Sequence, residues 1–328
     1  MTADARTAIV LVSDRGYLVP TLGAALAARR RTADPAVQVV VLLTASPPEE
    51  ADALRARAAP HGVTVQRVAI EGLEELGAER YGPAHVSAAT MARLWVAELL
   101  DPGIERFLYL DGDIDITGPL DPLLAMPMPQ GGLLAAPDVT WLIRGNWGHL
   151  ARSKLPYLQA LGVRPDRYFN AGVLLAEREG FREIGRAARD FFLRQPDLCR
   201  CQDQSALNAV AGDRRGELSL AWNYQTEFMV TADPRSWGCT PRIWHYTGFP
   251  KPWQARVFPW EEPGFGESFR LGAALLEGAG LDEAEPAAAR IETARHERDA
   301  LRRRIQWLHG WRRLARARKV RAAMSEAA

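Results

Sequence analysis

A short apolar strand that ends in two aspartates is the feature that most constrains this chain. The strand covers residues 107–110 (FLYL), and Asp111, Gly112 and Asp113 follow it directly. In α/β sheets ligands bind beyond the carboxyl ends of strands, and side chains two residues apart lie on the same side of an extended backbone. Two carboxylates there suit Mg²⁺ or Mn²⁺ with a bound phosphate, and the glycine lets a ligand approach the backbone.

Three other interpretations of these aspartates compete with a metal site. A solvated acidic turn is about as common as a metal site for an isolated DxD pattern. A calcium loop from Asp111 would also use Asp113 and Asp115, but Ile116 and Pro122 stand where such a loop needs Gly and Glu. A phosphatase with an aspartate nucleophile would carry the pattern on its first strand, whereas several strands are predicted before this one.

The composition is that of a globular protein with a large core. The 328 residues are 47% hydrophobic and 25% charged, and no run approaches the ~20 apolar residues of a membrane span. Residues 1–8 are polar and lack the apolar core of a signal peptide. Cys199, Cys201 and Cys239 make no disulfide framework and indicate a reducing, cytoplasmic setting. Cys199 and Cys201 have no second pair of ligands, which favours idle thiols over a metal site.

Apolar runs alternate with helical segments along the first 110 residues. This alternation predicts an α/β fold with a Rossmann-like, mostly parallel central sheet flanked by helices. The predicted strands are 7–12, 37–44, 63–70, 106–110, 132–136, 169–176, 217–220 and 242–245. The predicted helices are 20–31, 47–59, 86–100, 183–194, 202–210 and 285–321. Residues 138–166 are expected to cover a site and to shape the acceptor pocket.

A second cluster of functional residue types lies far downstream, at residues 245–253 (HYTGFPKPW). His245 offers a neutral imidazole to a metal, Gly248 permits close backbone approach, and Lys251 supplies a point charge for phosphate. Taken alone, a core histidine and a surface lysine would be the simpler interpretation. Together with the two aspartates, the cluster predicts one metal–diphosphate site.

These two clusters resemble the motifs of the family 8 glycosyltransferases, the retaining GT-A class that includes bacterial lipopolysaccharide galactosyl- and glucosyltransferases and glycogenin-like enzymes. Residues 245–253 match the family's HxxGxxKPW signature, and residues 109–113 (YLDGD) match its YLDxD segment. Residues 169–175 (FNAGVLL) and 203–208 (DQSALN) are similar to its FNAGVLL and DQxxLN segments. Residues 91–94 (MARL) resemble its YxRL segment with Met in place of Tyr.

The resemblance implies a metal-dependent retaining hexosyltransferase that takes a hexose from a UDP-sugar, UDP-galactose or UDP-glucose above all. The implied acceptor is a hydroxyl group of a glycan, a lipid-linked molecule or another compound. The implied ligands of Mn²⁺ or Mg²⁺ are Asp111, Asp113 and His245. The implied donor-binding residues are Asp14, Tyr17, Arg93, Asp111, Gly112, Asp138, Asn170, Gly248 and Lys251.

Asp203 and Gln204 are the candidate nucleophiles of a double displacement, and front-face attack with the leaving phosphate as base is the alternative. The competing functions are a DxD metal-dependent phosphohydrolase and a non-catalytic protein that binds sugar nucleotides or membranes.

The charge is distributed unevenly along the chain. Residues 301–328, here called the basic tail, contain nine basic residues and one acidic residue, a net charge of +8, so the remaining chain carries −7 within the overall +1. The expected domains are a transferase domain, 1–265, and a helical extension, 266–328. The chain is expected to be cytoplasmic.

Apolar residues of the basic tail fall along one side of the predicted helix. They are Leu301, Ile305, Leu308 and Ala315, with Trp307, Trp311 and Leu314 beside them. Such a helix is typical of a protein held at an anionic membrane surface, here through residues 301–321 on the inner face. Packing on the same chain or on a partner is the alternative. Nucleic acid is less favoured because no base-reading module accompanies the tail.

Overall fold

A seven-stranded sheet flanked by helices forms the centre of the protein, in a computed structural model that describes residues 6–73, 88–143, 149–281, 286–306 and 310–325. The strands are β1 (Thr7–Ser13), β2 (Gln38–Leu43), β3 (Thr64–Arg67), β4 (Arg106–Leu110), β5 (Ile114–Ile116), β6 (Leu133–Pro137), β7 (Phe169–Glu177), β8 (Arg215–Glu217), β9 (Tyr224–Gln225) and β10 (Ile243–His245). The order in the central sheet is β3-β2-β1-β4-β7-β6-β8, and β5, β10 and β9 form a second sheet of three strands.

The helices of the described residues lie between and after these strands. They are α1 (Leu18–Arg30), α2 (Pro48–Ala58), α3 (Ala88–Ala92), α4 (Val96–Leu99), α5 (Asp121–Leu124), α6 (His149–Ala160), α7 (Arg178–Arg194), α8 (Gln202–Ala211), α9 (Thr226–Thr231), α10 (Glu267–Leu276), α11 (Ala288–Gln306) and α12 (Gly310–Ser325).

Strand β1 shows why the central sheet is buried on both faces. Its neighbours β2 and β4 both run parallel to it. Alternate residues point to opposite faces of a strand: Ile9 and Leu11 join the core layer that contains α1, whereas Ala8 and Val10 join the layer that contains α7 and α8. The near-continuous apolar sequence of β1 follows from this double burial.

The sheet is mostly parallel, as predicted, but β7 runs antiparallel to both of its neighbours, β4 and β6. In the register of β4 and β7, Leu110 lies opposite Val173. The amino end of β7 therefore lies at the same edge of the sheet as the carboxyl end of β4. One result is a hydrogen bond of 2.8 Å from the Asp111 backbone N–H to the Gly172 carbonyl.

Some boundaries differ from the prediction. Where one helix was predicted at 86–100, α3 and α4 are separated by a 3-10 turn, Arg93–Trp95. Helix α7 begins at Arg178 instead of residue 183, and β8 ends at Glu217, where the strand 217–220 was predicted to begin, because its pairing with β6 covers residues 215–217.

The C-terminal part is helical, as predicted. The helix predicted at 285–321 is described as α11 and α12, and the residues between them, which include Trp307 and Leu308 of the predicted apolar stripe, lie outside the described residues. Helix α10 packs closely on α1. The two helices lie so near each other that a Cβ on Gly272 would overlap with the carbonyl oxygen of Val19. The domain boundary at residue 265 remains a prediction. Among the described residues, no helix is long and apolar enough to cross a membrane.

Candidate metal and donor site

Strand pairing brings the two predicted clusters together. Asp111 and Asp113 stand between the end of β4 and the start of β5. Strand β5 pairs antiparallel with β10, with Ile114 opposite His245, and the Tyr246 N–H donates to the Asp113 carbonyl at 2.9 Å. His245 must therefore lie beside Asp113, although the two residues are far apart in sequence.

The three predicted metal ligands form one compact group. Asp111, Asp113 and His245 each offer a ligand atom, and these atoms lie within 4.8 Å of one another. His245 Nε2 is 3.3 Å from Asp113 Oδ1 and 3.6 Å from Asp111 Oδ2. Two carboxylates and one imidazole form a donor set that suits Mn²⁺ or Mg²⁺. The geometry of these residues therefore fits a divalent ion.

Asn223 fixes the orientation of the histidine ring. Its Oδ1 lies 2.9 Å from His245 Nδ1, and both side chains are buried. An amide oxygen can only accept, and the amide nitrogen of Asn223 already donates to Asn170 Oδ1 at 2.8 Å, so Nδ1 carries the proton. The lone pair of Nε2 then faces the carboxylates, as a metal ligand requires.

Gly172 keeps the space between the ligands open. A Cβ at this position would overlap with the imidazole of His245 and would lie 2.7 Å from Asp111 Oδ2. A glycine inside a buried strand often marks such a close approach. Any other residue at position 172 would push the ligands apart.

Lys251 binds the cluster directly. Its Nζ donates to Asp113 Oδ2 at 2.5 Å and to the Tyr246 carbonyl at 2.6 Å. Burial opposes ionisation of Asp113, but the ammonium group of Lys251 favours it, and the pKa of Asp113 lies well below its usual range. Asp113 is therefore a carboxylate at neutral pH, as a metal ligand must be.

Arg93 lies between two carboxylates, the buried Asp203 and the partly buried Asp111. Its guanidinium donates to Asp111 Oδ1 at 2.5 Å and forms an ion pair with Asp203 Oδ2 at 2.8 Å. It also lies 4.5 Å from the centre of the Tyr109 ring. Burial alone would lower the pKa of Arg93, but Asp111 and Asp203 raise it above its ordinary value. Burial also raises the pKa of Asp203 to about 6, against the opposing effect of Arg93.

A chain of amide groups continues from Asn223 to the other side of the site. The Asn170 Nδ2 donates to Gln204 Oε1 at 3.2 Å, and the Ala171 N–H donates to the same oxygen at 3.1 Å. The Gln204 Nε2 donates to Asp138 Oδ2 at 3.3 Å. Burial raises the pKa of Asp138. The predicted sugar-binding residues are thus connected to the metal ligands through Asn223.

The remaining predicted residues lie at the rim of this edge. Asp14 follows β1, the neighbour of β4, and its Oδ1 accepts from the Tyr17 N–H at 3.1 Å. Gly248 has a φ of +77°, which a glycine adopts at little cost. The structure adds a reason for Gly112: a Cβ there would overlap with the side chain of Thr21 on α1, so packing also requires the glycine.

Asp115, the third aspartate of the calcium interpretation, is not part of the metal cluster. Its buried carboxylate accepts from the backbone N–H groups of Gly266, Glu267 and Ser268, at distances between 2.7 and 3.0 Å. It also accepts from the Tyr246 hydroxyl. Asp115 therefore caps the start of α10 and anchors that helix to β5.

Sequence reasoning missed several residues that the site needs. Gly172 could have been found, because a glycine inside an apolar strand signals close approach. Tyr109 could also have been found: it is two residues before Asp111, and its hydroxyl donates to Asp111 Oδ1 at 2.9 Å. Asn223 carried no signal, since its partner His245 is reached only through the pairing of β9 with β10.

The fold is that of the GT-A type of glycosyltransferase. The model of the family described as Glycosyl transferase family 8 matches residues 8–256. This chain belongs to that family, and the resemblance inferred from the motifs is confirmed.

Relatives and solved structures agree with this assignment. Glycosyltransferase GlyF of Streptococcus pneumoniae serotype 4 is 25% identical over 254 residues, which cover 76% of this chain and 57% of GlyF. The chain thus spans little more than half the length of that relative. The fold is similar to that of galactosyltransferase LgtC in complex with donor and acceptor sugar analogs, with a TM-score of 0.65 at 22% identity over 84% of this chain and 100% of LgtC. Glycosyltransferase GlyE of Streptococcus pneumoniae TIGR4 shares the fold with a TM-score of 0.55 at 20% identity over 84% of this chain and 64% of GlyE.

Proposed function

We propose that this chain is a metal-dependent, retaining hexosyltransferase that moves a hexose from a UDP-sugar, UDP-galactose or UDP-glucose, to a hydroxyl group of a glycan or lipid-linked acceptor. The observation that carries the proposal is the compact group of Asp111, Asp113 and His245, with the ammonium group of Lys251 on one of the carboxylates. The structure of LgtC with donor and acceptor sugar analogs supports it, because that protein shares the fold.

The residues around the cluster suit the chemistry of a diphosphate leaving group. Asp111, Asp113 and His245 would hold the divalent ion, which would supply a Lewis acid for the leaving diphosphate. Lys251 adds a positive charge where negative charge develops, and a preorganised charge of this kind stabilises the transition state. Asp14 and Tyr17 are proposed to hold the uracil base, while Asp138 and Asn170 are proposed to hold hydroxyl groups of the sugar.

The contacts of Asp203 and Gln204 favour front-face attack over double displacement. A nucleophile needs a lone pair directed at the anomeric carbon. Gln204 Oε1 already accepts two hydrogen bonds, and the Asp203 carboxylate is bound to Arg93. We therefore assign positioning roles to both residues. A hexose adduct on either side chain, detected in the intact-protein mass during turnover, would contradict this assignment.

The central experiment is a screen of UDP-sugars with Mn²⁺, read by mass spectrometry for hexosylated acceptor and released UDP. Asp113→Ala removes a metal ligand and the partner of Lys251, so turnover should fall by at least ~10³-fold. Asp190→Ala, an exposed aspartate of α7, is the matched control and should behave like the wild type. Full activity of Asp113→Ala, or release of inorganic phosphate instead of UDP, would overturn the proposal.

We further propose that the basic tail holds the enzyme at an anionic membrane surface. Trp311 is 65% exposed and Leu314 is 60% exposed, and Arg312 and Arg318 are exposed near them. Apolar residues flanked by arginine are the composition of interfacial helices. The opposite end of α12 is anchored to the protein, because Val320 and Ala323 are buried against the cluster that contains Leu142.

A further inference from the structure

Helix α11 lies along the phosphate-binding loop, residues 245–253. Three of its arginines touch this loop or the segment that follows it. The guanidinium of Arg290 is 4.1 Å from the centre of the Phe249 ring, Arg298 Nη2 donates to the Phe249 carbonyl at 3.3 Å, and Arg302 pairs with Glu261 at 3.0 Å. The helix that the sequence assigned to a separate extension is thus in contact with the proposed donor site.

Arg298 differs from the other two arginines in its surroundings. Arg290 stacks on an aromatic ring and Arg302 has a carboxylate partner. The side chain of Arg298 is partly buried, and its bond to Phe249 is its single hydrogen bond within the described part of the chain. Burial lowers the pKa of Arg298, and the negative charges of Glu227 and Glu297 offset this only in part. A guanidinium has five N–H donors, so most of its binding capacity is unused.

The guanidinium is directed at the one position of the loop that lacks a side chain. A Cβ on Gly248 would lie 3.3 Å from Arg298 Nη2. Gly248 is the residue at which a ligand can approach the backbone, and the φ of +77° keeps larger residues away. A ligand seated on Gly248 would therefore meet the guanidinium of Arg298.

The chemistry of the site indicates a diphosphate as this ligand. Lys251 is already bound to Asp113. Its single positive charge is therefore shared between a metal ligand and any bound phosphate. A guanidinium can bind two oxygens of one phosphate in parallel, which an ammonium group cannot. We propose that Arg298 is a second cationic ligand of the donor diphosphate, so that α11 completes the donor site; this inference rests on the proposed function.

The matched pair of variants is Arg298→Gln and Arg295→Gln. Arg295 lies on the same helix, but its side chain is 46% exposed and pairs with Glu292. The probes for calorimetric binding in the presence of Mn²⁺ are UDP, inorganic pyrophosphate and uridine. Arg298→Gln should weaken UDP and pyrophosphate about tenfold or more and leave uridine unchanged. Arg295→Gln should match the wild type for all three probes.

A purely structural role for Arg298 gives a different result. If the side chain only holds the Phe249 carbonyl, Arg298→Gln keeps a donor for it, and binding of all three probes would change together or not at all; either outcome overturns the inference. Arg298→Lys keeps the positive charge but cannot bind two phosphate oxygens in parallel, so it should recover part of the pyrophosphate affinity. Such a recovery would also show that the loss in Arg298→Gln is not a folding defect. If the wild type binds pyrophosphate but not UDP, the proposed UDP-sugar donor is refuted, and the pyrophosphate affinities of the variants still test the role of Arg298. Wild-type protein that binds neither would refute both proposals.

Discussion

The carboxyl edge of the central sheet and the basic tail use charge in opposite ways. At the edge, the Arg93 side chain is 5% exposed and touches two carboxylates. On α12, Arg312 is exposed beside Trp311. A buried charge must be paired and held in position, whereas an exposed one is solvated. Small changes at the edge should therefore alter the chemistry, and changes in the tail should alter where the protein binds. The expected effect of a substitution on turnover with a water-soluble acceptor decreases from the sheet edge to the tail.

The largest effect is expected for Gly172→Ala. The new Cβ would overlap with the His245 imidazole and approach Asp111 Oδ2, so the ligands can no longer surround an ion. Turnover should fall by roughly 10³-fold, as for loss of a ligand, and the free energy of unfolding should fall by about 1–3 kcal/mol because of overpacking. Steady-state kinetics and chemical denaturation measure the two effects.

Gly310→Ala is the control for this substitution. A Cβ on Gly310, at the start of α12, would meet no atom of the described part of the chain within 4 Å, so stability and turnover should stay close to those of the wild type. Turnover of Gly172→Ala within a few-fold of the wild type would show that residue 172 does not border the reacting centre.

A smaller effect is expected for Asn223→Leu. Leucine cannot accept the hydrogen bond from His245 Nδ1, so both the tautomer and the orientation of the ring are released. Loss of such an outer partner of a metal ligand typically costs 10–100-fold in metal affinity or activity. Titration of activity with Mn²⁺ should show a higher half-saturating concentration, with much of the rate recovered at high Mn²⁺. A rate that Mn²⁺ cannot restore would indicate damage beyond the histidine.

The metal ligands show how much of the site could be predicted from the sequence. The aspartates and His245 could be found because their chemistry is rare at such spacings and because both clusters match one family. The register of β5 and β10, which brings them together, was not readable from strands of three residues, since short strands carry little periodicity. The antiparallel direction of β7 was missed for a related reason: an apolar strand buried on both faces has the same pattern in either direction.

The basic tail could be predicted in composition but not in arrangement. Its charge and its tryptophans were evident, and a helix was expected. Helical propensity does not reveal which side of a helix another element covers, and the contacts that decide this are tertiary. Arg298 and Val320 were therefore missed, although the first touches the phosphate-binding loop and the second is buried in the core.

A moderate, pH-dependent effect is expected from Asp203. Burial raises its pKa to about 6, so at pH 5 most of the protein carries a neutral Asp203, and Arg93 loses one of its two anionic partners. The kcat/KM of the wild type should fall by about tenfold per pH unit below pH 6. Asp203→Asn lacks this titration, so its lower kcat/KM should be flatter in the same range. Identical profiles of the two proteins would remove Asp203 as the cause.

The raised pKa of Asp203 also predicts how the free energy of unfolding depends on pH. The pKa of Asp203 in the folded protein exceeds the ordinary 3.8, so the folded state binds this proton more tightly than the unfolded state. The contribution of Asp203 to the free energy of unfolding is therefore largest below pH 3.8 and falls as the pH rises to about 6. Denaturation of wild type and Asp203→Asn across this window measures the difference, which should favour the wild type more at the acidic end. A constant difference would contradict the raised pKa.

The smallest effect on turnover is expected from the double variant Trp311→Ser and Leu314→Ser. Both side chains are exposed, so the fold and the kinetics with a soluble acceptor should stay within about twofold of the wild type. Binding to liposomes of anionic lipid should fall by about tenfold or more, because burying each apolar side chain contributes roughly 1–3 kcal/mol.

These substitutions are a sharper test than removal of the C-terminal helices. Truncation would also remove Arg298 from the phosphate-binding loop and Val320 from the core, so a loss of activity would have several causes. Leu193→Ser, at another exposed apolar residue on α7, is the control and should sediment with the liposomes like the wild type. Equal sedimentation of the double variant and the wild type would assign the exposed face of α12 to something other than a membrane, and would leave the chemistry at the sheet edge untouched.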